Sequence, residues 1–172
     1  MMQVKLNIIF ISLIIFFSGG CASANAGIKI AILDFELNDL TSLPYTQAEL
    51  IRTGSIKPLL EKAISQHNDY QIIHISQEAQ KSANAGFGYL FHFHDEAAKL
   101  GKKFGADWVI VGQHSKPSFL ESSLITDVIN VIKANAFAEL VVDLKGNHEK
   151  VTERAVMKLS EKIDRVILPR QK

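Results

Sequence analysis

Residues Lys102–Pro117 read KKFGADWVIVGQHSKP, and the fold turns on this stretch. It holds the end of a helix, a Gly-Ala-Asp turn and the apolar run Trp108-Val109-Ile110-Val111, closed by Gly112. The run carries no charge on either face. That pattern marks a strand buried on both sides, at the centre of a sheet that helices cover. Just upstream, Asp95 to Phe104 sets Ala97, Leu100 and Phe104 on one helical face. Asp95 and Glu96 stand at the positive end of the helix dipole and Lys102 and Lys103 at the negative end, and Gly105 stops the helix.

Working outward, Lys29–Phe35 (KIAILDF) reads as a first apolar strand, followed by a loop from Leu37 to Tyr45 with Pro44 as punctuation. Thr46-Gln47-Ala48-Glu49 is a capping box, in which Glu49 reaches back to the cap. The helix after it carries the stripe Leu50, Ile51, Ile56, Leu59, Leu60, Ala63 and Ile64. Pro58 predicts a kink or break near Gly54-Ser55. Tyr70–Ile75 reads as a second strand, and Gln77–Leu90 shows no firm period. Phe91-His92-Phe93-His94 then leads into the helix before the central strand. Beyond that strand, Leu124, Ile125, Val128, Ile129 and Ile132 recur at helical spacing, yet β-branched residues dominate the segment and favour a strand. Phe137–Leu144 is a strand, Gly146-Asn147 turns the chain with Asn147 as N-cap, and Glu149–Ile167 is an amphipathic helix with a frayed tail, PRQK. The expected fold is α/β (α+β), a mixed sheet covered by helices. Parallel strands come first and antiparallel ones later.

The leading residues stand apart. Lys5 is the only charge before Lys29, and Ile8–Phe17 (IIFISLIIFF) is apolar except for Ser12. Small residues follow, SGGCASANAG. This is the layout of a secretory signal. The run is too short to span a bilayer, which takes about 20 apolar residues. Two cleavage readings compete. Ala24-Asn25-Ala26 is an A-x-A site that makes 1–26 the signal and leaves 27–172 as one soluble periplasmic α/β domain. Ser18-Gly19-Gly20-Cys21 resembles a bacterial lipobox, although Ser18 stands where leucine is usual. In that reading 1–20 is removed and Cys21 carries the lipid that anchors the protein. Cys21 is the only cysteine, so a hydrophobic core and not a disulfide must stabilise the domain. Without Lys5 the chain holds 18 basic and 18 acidic residues. This balance excludes the basic footprint of a nucleic-acid binder and gives no polybasic membrane patch.

KIAILDFEL near the start, GAD…VGxxxK over Gly105–Lys116 with Ser118 and Leu120 following, and VVDLKGN over Val141–Asn147 together resemble an uncharacterised family of exported proteobacterial proteins. It is catalogued as a domain of unknown function numbered 3280 or 2380. The resemblance covers nearly the whole chain after the signal. It implies a β-hairpin between Lys116 and Gly146, and so a strand over Leu124–Ile132 against the helical period. The implied order is β-α-β-α-β-β-β-α, with about five strands in a single mixed sheet. At fold level the family is similar to envelope domains of the TolB N-terminal and CsgG type. Family members occur with periplasmic alcohol-oxidising quinoprotein systems. Some carry a cysteine pair before the Gly-Ala-Asp helix, where this chain has Phe91–Glu96 and no cysteine, so a thiol role is not expected here.

Candidate chemistry is sparse. His92, His94 and Asp95, with Glu96, suit zinc or copper, and in a strand the two histidines would share a face. No second cluster supplies the remaining ligands of a structural site. Asp34, Glu36 and Asp39 fall at the carboxyl end of the first strand, where ligands of α/β sheets bind. No basic or histidine partner is near in sequence, and the alternative is a turn whose acids cap loop amides. Lys116 and Ser118 have the spacing of a Ser-Lys pair on a strand, but nothing activates Ser118, so they read as a solvated rim. Gly86-Phe87-Gly88 lacks the Lys-Ser/Thr of a phosphate loop, and Trp108, Phe91 and Phe93 read as core. With no catalytic set and no required cofactor, the expectation is a non-enzymatic exported domain that binds a protein partner in the envelope. The alternative is a small-ligand or metal-binding accessory of a periplasmic quinoprotein system.

Overall fold

The computed structural model describes residues 27–41, 44, 46–146 and 149–169. The signal segment with Cys21, the cap residue Asn147 and the last three residues lie outside the described residues. The elements are β1 (Ile28–Ile32), β2 (Glu36–Asp39), α1 (Gln47–Ser65), β3 (Tyr70–Ile73), α2 (Gln77–Ala83), α3 (Tyr89–His92), α4 (His94–Lys103), β4 (Trp108–Lys116), β5 (Ser123–Asn130), β6 (Asn135–Asp143) and α5 (Glu149–Ile167). They build a six-stranded mixed sheet in the order β3-β1-β4-β5-β6, with β2 also on β4. The apolar stretch of the opening quotation is the hub. β1 and β2 pair with it in parallel, and β5 antiparallel along its whole length.

The sheet is covered on both faces. Ile30, Ile32, Ile110, Leu124 and Val128 pack against α1 and α5, while Ala31, Leu33, Val109, Val111 and Ile129 pack toward α3 and α4. Successive β-strand residues point to opposite faces, so β4 feeds both cores through its uncharged run Trp108–Val111. Each fully buried leucine or isoleucine among them contributes about 1.5–3 kcal/mol of burial free energy.

Several expectations need correction. The loop expected from Leu37 contains strand β2, so the sheet has six strands. β1 and β2 are one path along β4 interrupted by a bulge. Leu33-Asp34-Phe35 lies opposite only Val111 and Gly112, because Ile32 pairs with Ile110 and Glu36 with Gln113. A bulge of this kind re-aims a side chain, and it leaves Asp34 half-buried at the surface. Gly112 does not close β4 but sits within it. A Cβ there would lie 2.2 Å from Phe35 Cε1, so glycine makes room for that ring. α1 runs unbroken through Pro58; Gly54, whose carbonyl loses its helical donor, is exposed to water. Leu50 and Ile51 are not on the buried stripe, which is instead Glu49, Thr53, Ile56, Leu60, Ala63 and Ile64. Gln77–Leu90 holds α2 and the start of α3, and Phe93 is exposed rather than core. Leu124–Ile132 is the strand the family resemblance implied, ending at Asn130, with Ile132 exposed in the turn to β6.

Candidate functional site

The carboxyl ends of β2 and β4 meet the first turns of α1 and α5 in a polar cleft. Thr46 caps α1, its hydroxyl accepting from the Glu49 amide at 3.2 Å. The carboxylate of Glu49 does not complete the box. It turns inward to Lys116, whose Nζ lies 3.3 Å from Glu49 Oε1 and 3.3 Å from Asp39 Oδ2. Burial opposes the charge on Lys116, but hydrogen bonds from its ammonium to Asp39 and Glu49 outweigh it and raise its pKa. Asp39 is also buried, which favours its neutral form, yet hydrogen bonds from Thr41 and Lys116 hold its carboxyl below the ordinary range. Arg52 ties the walls together, donating from Nε to Thr152 Oγ1 and from Nη2 to the Gly146 carbonyl, each at 2.9 Å.

Beneath this layer lies His114, fully buried on β4. The Thr53 hydroxyl donates to the Glu49 carbonyl at 2.8 Å, so its lone pairs are free to accept from His114 Nδ1–H, also at 2.8 Å. Nε2 is then the acceptor, and the Ser122 hydroxyl donates to it at 2.8 Å. Burial first, and the positive charge of Arg52 next, push the His114 pKa down to about 4. The ring is therefore neutral at physiological pH. Ser122-His114-Thr53 has the connectivity of a hydroxyl, a base and an orienting group.

The cleft has two connected lobes of about 580 Å³ and 320 Å³ that share Glu49, Arg52 and Lys116. Glu49 is buried, and its second oxygen, Oε2, has no hydrogen-bond partner among the described residues. Ile51 lines the larger lobe, and Phe119 and Leu120 the smaller. Leu40 is held nearby through its amide, which donates to the Lys116 carbonyl at 3.0 Å. All four are exposed, Leu120 at 96%.

The acids singled out in the sequence do not form one site. Asp34 pairs with Lys57 at 3.3 Å, a partner 23 residues away in sequence, and its backbone is clamped at both ends by the Gln80 amide. Glu36 accepts from Asn84 Nδ2 at 2.8 Å and from the Gly88 amide at 2.6 Å, pinning the segment between α2 and α3. Asp39 belongs to the cleft. Lys116, expected on a solvated rim, is 16% exposed and held between two carboxylates, while Ser118 accepts from the Leu120 amide within its own loop. His92 and His94 do not share a strand face, because His92 ends α3 and His94 begins α4. His94 Nε2 lies 3.0 Å from Asp127 Oδ2 on β5, and burial raises the Asp127 pKa despite that contact. Asp95 bonds to Lys99 on its own helix. Among the described residues, no three His, Cys, Asp or Glu side chains come together to hold a metal ion.

Glu49, Arg52, Thr53, His114 and Ser122 were not identified as site residues from the sequence. The signal for three of them was present. Glu49 and Thr53 lie four apart on the helix, beside Ile56 and Leu60, so polar residues continue the buried stripe. His114 lies two positions beyond Gly112, on the same face of the central strand as Ile110.

A mixed sheet covered by helices, with a polar cleft at its strand ends, defines the class: an α/β domain. The chain belongs to the DUF3280 family, described as a protein of unknown function (DUF2380), whose sequence profile matches residues 28–163. No curated protein matches it by sequence. Solved structures share the fold at low identity. TolB from Acinetobacter baumannii is 15% identical with a TM-score of 0.53, over 83% of this chain and 29% of its own. LpoB from E. coli is 12% identical with a TM-score of 0.51, over 68% of this chain and 56% of its own. Lipoprotein GNA1162 from Neisseria meningitidis is 10% identical with a TM-score of 0.50, over 78% of this chain and 95% of its own. The chain thus matches about half of LpoB and under a third of TolB.

Proposed function

We propose that this chain is an exported, non-catalytic envelope domain that docks a protein partner at the cleft between α1, β4 and α5. The observation that carries the reading is the exposed rim of Leu40, Ile51, Phe119 and Leu120 around a buried carboxylate oxygen, Glu49 Oε2, that has no donor among the described residues. Exposed apolar groups gathered at one place mark interaction sites. An unsatisfied buried acceptor calls for a donor. The partner this surface fits presents apolar side chains to the rim and a polar group to the cleft that Glu49, Arg52 and Lys116 line.

Two features support a non-catalytic role. A histidine with a pKa near 4 is a weak base at neutral pH, and its orienting group is a hydroxyl where serine hydrolases use a carboxylate. The Ser122-His114-Thr53 chain instead satisfies a buried ring. The alternative, a ligand- or metal-binding accessory of a periplasmic quinoprotein system, would draw on Asp34 and Glu36 or on His92, His94 and Asp95. Their engagement in separate local contacts favours the docking reading. The signal-like segment places the protein in the periplasm, soluble from Gly27 or tethered by a lipid on Cys21, and an intact mass of the envelope form separates these two.

The test is site-specific photo-crosslinking in cells with the probe at Leu120, compared with a probe at Glu78 on the opposite face of the sheet. A discrete protein adduct at Leu120, weakened by Glu49→Gln and missing from Glu78, is expected. Equal labelling from both positions, or none from Leu120, overturns the proposal.

A further inference from the structure

The net charge of the chain hides a segregated one. On α5, Lys150, Arg154, Lys158 and Lys162 recur every fourth residue, which lines them along one ridge of the helix. Lys145 precedes the helix on the same side. Like charges four apart repel, and none of these five forms an ion pair with a described residue. Between this ridge and β6 runs a groove of about 480 Å³ lined by Val141, Val151, Arg154, Ala155, Lys158 and Lys162 among others, with Asp143 its only acid.

β6 is the last strand of the sheet, and its backbone phase is fixed by two contacts. The Leu144 amide donates to the Ser122 carbonyl at 2.7 Å, so Leu144 faces the sheet. The Val141 carbonyl accepts from Lys162 Nζ at 2.7 Å, so Val141 faces out. The period of two then turns the amides and carbonyls of Glu139, Val141 and Asp143 to the open edge. An edge of nine residues with its polar backbone groups turned outward is a template for another strand.

We infer that this groove receives an extended, acidic segment of a partner protein, added as a strand to β6. Main-chain hydrogen bonds to Glu139 and Asp143, and to Val141 once Lys162 swings from its carbonyl to an acidic side chain, would supply the pairing, and acidic side chains on alternate residues would meet Arg154, Lys158 and Lys162. An open ladder edge and an apolar floor of Val142, Val151 and Ala155 favour a peptide strand over the flat surface of an anionic membrane. This surface is distinct from the cleft around Glu49.

The test uses the chain isolated from the cell envelope, labelled with ¹⁵N, and an eight-residue peptide of alternating Glu and Val with blocked ends. Expected are amide shifts and slowed hydrogen exchange at Glu139, Val141 and Asp143. Affinity should fall at least tenfold in the exposed double variant Arg154→Glu/Lys158→Glu and also in high salt, and it should be unchanged in Glu49→Gln. Four results would overturn the inference: no binding at millimolar peptide, equal binding of the matching Lys-Val peptide, protection that rises with protein concentration alone and so reports a second copy, or binding to phosphatidylglycerol vesicles with none to the peptide. No peptide binding would assign the basic ridge to protecting the edge strand against aggregation.

Discussion

Protonating His114 should weaken the fold in proportion to how far its pKa is displaced. The ring is fully buried between Thr53 and Ser122 and its pKa stands at about 4, against 6.5 for a free side chain. As pH falls, the unfolded chain takes up the proton first, so stability is intact above pH 6.5, declines as pH falls toward 4, and levels off below that. At 1.36 kcal/mol per pH unit, the limiting loss is about 3 kcal/mol, with about 2 kcal/mol already gone at pH 5. The assay is urea unfolding at pH 7.5 and pH 5 for the wild type and His114→Gln. Gln can still hydrogen-bond but does not titrate. The variant starts less stable, yet over this interval it should lose about 2 kcal/mol less than the wild type, since the carboxylates common to both cancel. Parallel pH profiles would refute the reasoning. Should the variant fail to fold, an NMR titration of the wild-type ring decides instead, and a His114 pKa above 6 would be equally fatal.

Gly112→Ala should cost about 1–3 kcal/mol by driving a methyl into the Phe35 ring, measured as a lower urea midpoint at unchanged slope; full wild-type stability would mean the ring has room to turn away. Val109→Asp puts an unpaired charge at a fully buried position of the hub strand, and loss of cooperative unfolding by circular dichroism is expected. Ser122→Ala should cost about 1–3 kcal/mol by stripping the donor from His114 Nε2 while leaving the Leu120 crosslink in place. Loss of the crosslink with stability intact would show Ser122 contacting the partner.

The sheet was legible because its decisive residues are unambiguous: an uncharged run at Trp108–Val111 has no home but a central strand, and Gly105 marks where the helix before it stops. Leu124–Ile132 was not legible from period alone. Five apolar residues fit a helix, and only once β4 and β6 flank it does the alternation show that Leu124 and Val128 serve one core and Ile129 the other. β2 was missed because ELND is polar and short, and its pairing depends on Lys116 some 77 residues away. The site was harder still. Asp39 and Lys116 were each noticed, but their pairing is a product of the register between β2 and β4. Leu50 and Ile51 were assigned to the core because hydropathy cannot see that Glu49 and Thr53 are drawn inward by Lys116 and His114. The basic ridge of α5 is written in the sequence at four-residue spacing, but the balance of 18 basic and 18 acidic residues beyond Lys5 conceals it.

The place of β4 in the sheet also orders the chain's assembly in time. Synthesis runs from the amino end, and until Trp108 is available β1 has only β3 to pair with and β2 has no strand at all. Two short parallel strands and one helix cannot close a core, because parallel pairing demands a long loop closure before any burial rewards it. The meander β4-β5-β6 is the reverse case, joined by short turns between neighbours. It can form quickly and then recruit β1 and β2 onto its free side. More than a hundred residues of chain therefore stay open until late in synthesis. That delay comes from topology alone, because the strand that receives β1 and β2 lies later in the chain than either of them.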